Sequence, residues 1–244
     1  MFGTVTKKTL QYLFFAAFFL QASSNPVAAQ SVIEGNNFDK TIRIYDADGR
    51  AMRNPGIDAT GSPLFLPNWK LGWIRLADNR VFTAVPLRLD LEQQEVHYKR
   101  ADGTDVDVQS GQIKQMAITD TIAGAPVVYE FLSGFPPIDN QTETSFYLQL
   151  DSGRVSLLES LWKKIIQDKN AYAGSFVKEY RLYNELYVVS NGKMIRIKWD
   201  AKFFRGLTRD KQTQMDDFLN KNTISFKSEE DIRKFIHFYN GLAP

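Results

Sequence analysis

Residues 81–91 constrain this chain more than any other stretch. Val81, Thr83, Val85, Leu87, Leu89 and Leu91 recur at every second position, while Arg88, Asp90 and Glu92 take the opposite parity. Period two with one apolar side is the pattern of a half-buried β-strand. Pro86 falls on the other parity and has no N–H to give a ladder, so an edge position or a bulge is expected there.

Turn signals then divide the chain into similar segments. Asp78-Asn79 precedes this strand, and Glu92-Gln93-Gln94 separates it from EVHYK. Asp102-Gly103 leads into TDVDV, Asp151-Ser152-Gly153 follows SFYLQL, and Asn191-Gly192 joins ELYVVS to KMIRIKW. Asn-Gly between alternating segments marks a hairpin, because both residues tolerate positive φ. In GSPLFLPNWKLGWIRL (61–76), two prolines pin the chain before a strand from Leu71, with Leu71, Trp73 and Arg75 on one face and Ile74 and Leu76 on the other.

One segment is ambiguous. Val155, Leu157, Leu158, Leu161, Trp162, Ile165 and Ile166 fit a helical stripe, yet a hairpin turn directly precedes them. Context is given the greater weight, and a strand is expected at least through Leu161. The C-terminus changes character. Residues 209–220 suit a short amphipathic helix with Met215, Phe218 and Leu219 on one side. Ser228 and Asp231 form a capping-box-like pair opening a second helix, in which Ile232, Phe235, Ile236 and Tyr239 form the buried stripe and Gly241 the stop.

The expected fold is therefore α+β, mostly β: an antiparallel meander, as a curled sheet or partly closed barrel, with a C-terminal helical pair. Residues 1–29 read as a signal peptide, 30–60 as an N-terminal extension, 61–206 as the β domain and 207–244 as a helical appendage packed on the sheet. The leader rests on Lys7-Lys8, the apolar run 12–20 and the small residues before Gln30. Nine apolar residues are half of the roughly 20 needed to span a bilayer, so no membrane span is expected in the mature chain. Only Thr41–Tyr45 in the extension resembles a strand.

Composition removes several chemistries. Without Lys7 and Lys8, the chain has 28 basic residues against 28 acidic ones. That balance gives no electrostatic footprint for nucleic acid or an anionic membrane. Cysteine is absent, which excludes disulfides, thiolate metal sites, a cysteine nucleophile and a lipoprotein anchor. The two histidines, His97 and His237, are too few for a three-histidine metal site and read as surface or rim residues. No nucleophile-elbow, phosphate-loop, dinucleotide or zinc-protease motif occurs. Asp46-Ala47-Asp48-Gly49 starts like a calcium loop but has its glycine too early and isoleucine at position 57, where a glutamate is needed. Asp105 and Asp107 read as the wet side of a strand, with a weak hard-cation site as the alternative. No cofactor, metal or catalytic residue is assigned.

Aromatic residues make up 13% of the chain. They suit the core of a disulfide-free β domain, with a carbohydrate or lipid pocket as the alternative. Phe65 and Trp69, ahead of the first strand, are the candidate ligand-binding residues.

The order G-S-P-x-x-x-P-x-W at 61–69, x-F-x-x-V-x-L-x-x-D-L at 81–91, V-x-Y-K at 96–99, the strand–DSG–VSLL unit at 146–158 and the C-terminal K-S-E-E-D-x-x-x-x-I-x-F-Y-N resemble a family of secreted, β-rich proteins of the phylum Bacteroidota. The resemblance spans residues 60 to 241. It implies an envelope location, periplasmic or extracellular, and hands over no catalytic residue. It also makes Asp120-Thr121-Ile122 similar to the D-[S/T]-aliphatic O-glycosylation site of exported proteins of that phylum, with Thr121 as the acceptor. The functional expectation is an exported, non-catalytic envelope protein that binds a protein partner or an apolar or glycan ligand in the concave face of its sheet. The alternative is a carboxylate-based hydrolase of envelope or extracellular polymers, and a third reading is a structural part of a surface complex.

Overall fold

Left-handed backbone at the turns sets the strand sequence. Asn79, Gln94, Ala123 and Asn191 all have φ between 50° and 67°, and Gly103, Gly124 and Gly192 follow suit. The computed structural model describes residues 59–108, 110–169 and 176–242, all within the unit Lys40–Pro244. The leader, the segment at 41–45 and the DADG loop lie outside them. The strands are β1 (Lys70–Leu76), β2 (Val81–Asp90), β3 (Glu95–Lys99), β4 (Asp105–Val108), β5 (Ile113–Ile122), β6 (Ala125–Leu132), β7 (Tyr147–Asp151), β8 (Val155–Lys169), β9 (Phe176–Ser190) and β10 (Lys193–Arg196). The helices are α1 (Ala201–Leu207), α2 (Gln212–Lys221) and α3 (Glu229–Gly241). The fold is α+β and mostly β, as expected.

All ten strands form one antiparallel sheet in the order β10-β9-β8-β7-β6-β5-β1-β2-β3-β4. It is two meanders, β1–β4 and β5–β10, joined where β5 pairs with β1 instead of β4. Four strand spacings, about 19 Å on a flat sheet, separate β4 from β5. The link from Val108 to Ile113 reaches at most about 18 Å, so the β5-β1-β2-β3-β4 part must curl. The sheet stays open, with β4 and β10 at its edges.

The expected irregularity near Pro86 is a bulge. The β1–β2 register shifts between Gly72 and Trp73, opposite Ala84 with its φ of 56°. A Cβ on Gly72 would lie 2.0 Å from the Ala117 carbonyl oxygen, so only glycine allows β1 and β5 to approach there.

One face of the sheet is continuous core. Ile74, Met116, Phe131 and Leu148 follow one another across successive strands, then Glu159 of β8 and Leu186 of β9, and all are buried. Over β8 and β9 this inner face carries the helices: Val155, Leu157, Leu186 and Val188 pack with Phe204, Met215, Ile232, Phe235, Ile236 and Tyr239. α3 begins as expected, with the Ser228 side chain accepting from the Asp231 N–H. The Asp231 carboxylate does not return to the cap; it accepts from the Ser225 N–H. The helical part opens earlier than position 207, with α1 capped by Asp200, which accepts from the Phe203 N–H at 2.8 Å.

The ambiguous segment is strand throughout, paired with β9 over its whole length. Its apolar run has a physical cause. Leu157 faces the helices, while Leu158 on the outer face packs with Tyr147 and Tyr187 beneath Phe135 and Ile138 of the 133–145 segment. A strand covered on both faces loses its alternation.

Candidate functional site

β8 runs past the end of β7, whose ladder with it stops at Ser160. Beyond that point the turn between β2 and β3 meets β8. The Lys163 N–H donates to the Leu91 carbonyl at 3.0 Å. The Gln94 side chain donates to the carbonyls of Leu91 and Leu161 and accepts from the Phe146 N–H. This turn, the end of the 133–145 segment and the outer face of β8 enclose a crevice of about 370 Å³. Small-molecule sites occupy roughly 300–1,000 Å³.

The lining is Trp162 and Lys164 from β8, Gln93 and Gln94 from the turn, and Asn140, Gln141, Thr142, Thr144 and Ser145 from the segment. Tyr183, paired with Trp162 across the ladder, stacks against it at 5.9 Å and 14° and fixes the indole. The Thr142, Thr144 and Ser145 hydroxyls bond within their own loop. The side chains of Gln93, Asn140, Gln141 and Lys164 have no hydrogen-bond or ion-pair partner among the described residues. Amides both donate and accept, which suits a ligand rich in hydroxyls. An indole flanked by such groups offers an apolar platform with polar edges. No carboxylate among the described residues lines the crevice, whereas glycoside hydrolysis uses a pair of them.

Carboxylates occur elsewhere. On the outer face of β3 and β4, His97 Nδ1 lies 2.5 Å from Asp107 and Lys99 lies 3.4 Å from Asp105. Burial, then the neighbouring Asp107, raises the Glu95 carboxyl above its usual range. Asp107 thus has the His97 ring and Asp105 the Lys99 ammonium as a neighbour, and no group of three or more metal-ligating side chains exists among the described residues. His237 is exposed and meets Asp151 at 2.8 Å. Glu159, buried on the inner face, is raised chiefly by burial and partly offset by a hydrogen bond from Asn184.

The residues singled out from sequence fall on opposite faces. Phe65 is in the inner core, edge-on to Tyr129 and Phe131 at 5.0 and 5.1 Å. Trp69 is on the outer face, with the Arg88 guanidinium 4.3 Å and the Lys99 ammonium 4.9 Å from its ring. Arg88 Nε beneath it is buried without a partner. Neither aromatic lines the crevice. Thr121 is exposed near the tip of the β5–β6 hairpin, beside Asp120, which Lys70 holds at 2.6 Å. Lys70 also lowers the Asp120 carboxyl below its usual range. Trp162 was hidden inside an apolar run. Its strand parity, shared with Lys164 and opposite to Leu161, is the signal that separates it from the core.

The motifs behind the family resemblance are joints of the fold. Asn240 of the C-terminal F-Y-N accepts from the Val155 N–H and donates to the Val155 carbonyl and to Asp151 of the DSG turn. The Lys163 ammonium donates to the carbonyls of Ser62 and Leu64 in the G-S-P segment, and burial pushes it below the usual lysine range. Compared with family models, curated proteins and solved structures, the chain matches none. No helix among the described residues is long and apolar enough to cross a membrane.

Proposed function

We propose that this chain is an exported, non-catalytic envelope protein that binds a glycan in the Trp162 crevice. The carrying observation is the convergence of unpartnered amides from Gln93, Asn140 and Gln141 on a braced indole, with no carboxylate in the lining. Export rests on the leader-like residues 1–29, and the envelope location on the resemblance to secreted Bacteroidota proteins. A glycan microarray probed with the wild type, Trp162→Ala and Gln141→Ala tests the reading. Bound glycans should be lost or weakened at least tenfold in both variants. An array without hits, or hits unchanged in Trp162→Ala, overturns it, and release of shortened products from a bound glycan reinstates the hydrolase.

Thr121 is the proposed O-glycosylated residue of the same exported chain, favoured by its exposure. Intact mass from the native host should exceed the polypeptide mass, and Thr121→Val should abolish the excess. An unmodified wild-type mass refutes it.

A further inference from the structure

We propose that the corner where β10 turns into α1 docks onto an anionic lipid surface, independently of the crevice. Ile195 and Trp199 are 41% and 43% exposed at this corner, and Trp199 is the one aromatic side chain exposed among the described residues. Lys193, Lys198 and Lys202 lie in the same stretch of chain, all exposed and without an ion-pair or hydrogen-bond partner among the described residues. Charge balance over the chain conceals this segregation: from Lys193 to Lys211 there are seven basic residues and two acidic ones. Of the acids, Asp200 caps α1 and Asp210 is bound by Arg154 and Tyr239.

The corner is held firmly. The Ile197 N–H donates to the Leu186 carbonyl at 3.0 Å, and Phe204 of α1 is fully buried in the core. An exposed tryptophan on a hydrogen-bonded stretch of backbone, with Lys198 before it and Lys202 three residues after it, suits the boundary between headgroups and acyl chains. Lysine stems lie along apolar surface while their ammonium groups stay in the headgroup layer. A protein partner is the poorer fit, because lysine is depleted in protein interfaces and arginine enriched. Of the three arginines from Lys193 to Lys211, two are already tied, Arg196 to Glu185 and Arg205 to Asp216.

Co-sedimentation of the exported protein with vesicles tests this. It should partition onto equal parts of phosphatidylcholine and phosphatidylglycerol at low salt, hardly at all onto pure phosphatidylcholine, and progressively less as salt rises. Lys198→Ala and Lys202→Ala should each weaken partitioning roughly fivefold, the factor for one lysine near a charged surface. Trp199→Ala should weaken it further, while Lys178→Ala, at the far end of β9, should have no effect. Thermal melts establish that the variants remain folded. The proposal fails if the wild type does not partition, if the corner variants bind like wild type, or if Lys178→Ala loses as much. Retention on polyglutamate beads without vesicle binding would assign the corner to an acidic protein and overturn the lipid reading.

Discussion

The two halves of β8 share one ladder and differ in everything that touches it. From Val155 to Leu161 the strand is covered on both faces, by helices within and by Phe135 and Ile138 without, and Leu157 and Leu158 have no exposure at all. From Trp162 onward the outer face is bare of that cover, and the same parity that buried Leu158 presents Trp162 and Lys164 to the crevice. Burial is thus a property of what lies against a strand. The first half serves the fold, and the second lines an open crevice.

Adjacent substitutions test this contrast most severely. Leu157→Ala and Leu158→Ala point to opposite faces, and each should cost about 2–5 kcal/mol, the range for emptying a packed leucine site. Urea unfolding measures both. On a sheet with one wet face, one of two neighbours would be nearly silent; a silent Leu158→Ala would break the comparison. Next in size is Asn240→Ala, which leaves the Val155 N–H and carbonyl without their side-chain partner. A loss of about 1–3 kcal/mol is expected. Gly153→Ala should act on the same joint, since its Cβ would lie 2.6 Å from the Asn240 side chain. In the second half of β8, Trp162→Ala loses its stacking on Tyr183, about 0.5–1.5 kcal/mol, while the proposed glycan binding should fall far more. A stability loss as large as that of Leu158→Ala would make Trp162 a core residue and remove the contrast.

Much of the fold was legible in the sequence, and little of the crevice. The hairpin at Asn191-Gly192 and the stripe Ile232, Phe235, Ile236 and Tyr239 are local patterns, and the structure has both. The helical appearance of 155–166 arose because cover on two faces erases alternation, and neither cover is local: the 133–145 segment lies ahead and the helices follow. α1 escaped notice because seven residues carry too little periodicity, although Asp200 supplied its cap. The crevice is less legible still. Gln94 reaches the Leu161 carbonyl across 67 residues of chain, and nothing local to either reports that meeting. Aromatic content drew attention to Phe65 and Trp69; Phe65 is half-buried against Phe131, and Trp69 covers Arg88. A net charge, likewise, does not report how the charges are distributed along the chain.

The smallest expected effect has the opposite sign. Glu159 sits within the first half of β8, on the inner face, where burial raises its carboxyl above the usual glutamate range and the hydrogen bond from Asn184 recovers only part of that cost. In the folded state the group holds its proton to higher pH than in the unfolded state. Folding therefore takes up a proton in the window between the two values, and this group's contribution to stability falls as pH rises through it. A carboxylate stabilised by an ion pair behaves in the reverse manner. Glu159→Gln keeps the shape and an acceptor for Asn184 but cannot ionise. It should be more stable than the wild type at neutral pH, by less than any loss predicted above, and the gap should close as pH falls below the ordinary glutamate range. Paired urea titrations at neutral and acidic pH read the difference directly. A gap that does not change with pH would place the Glu159 carboxylate in water, and the covered first half of β8 would then have to end before it.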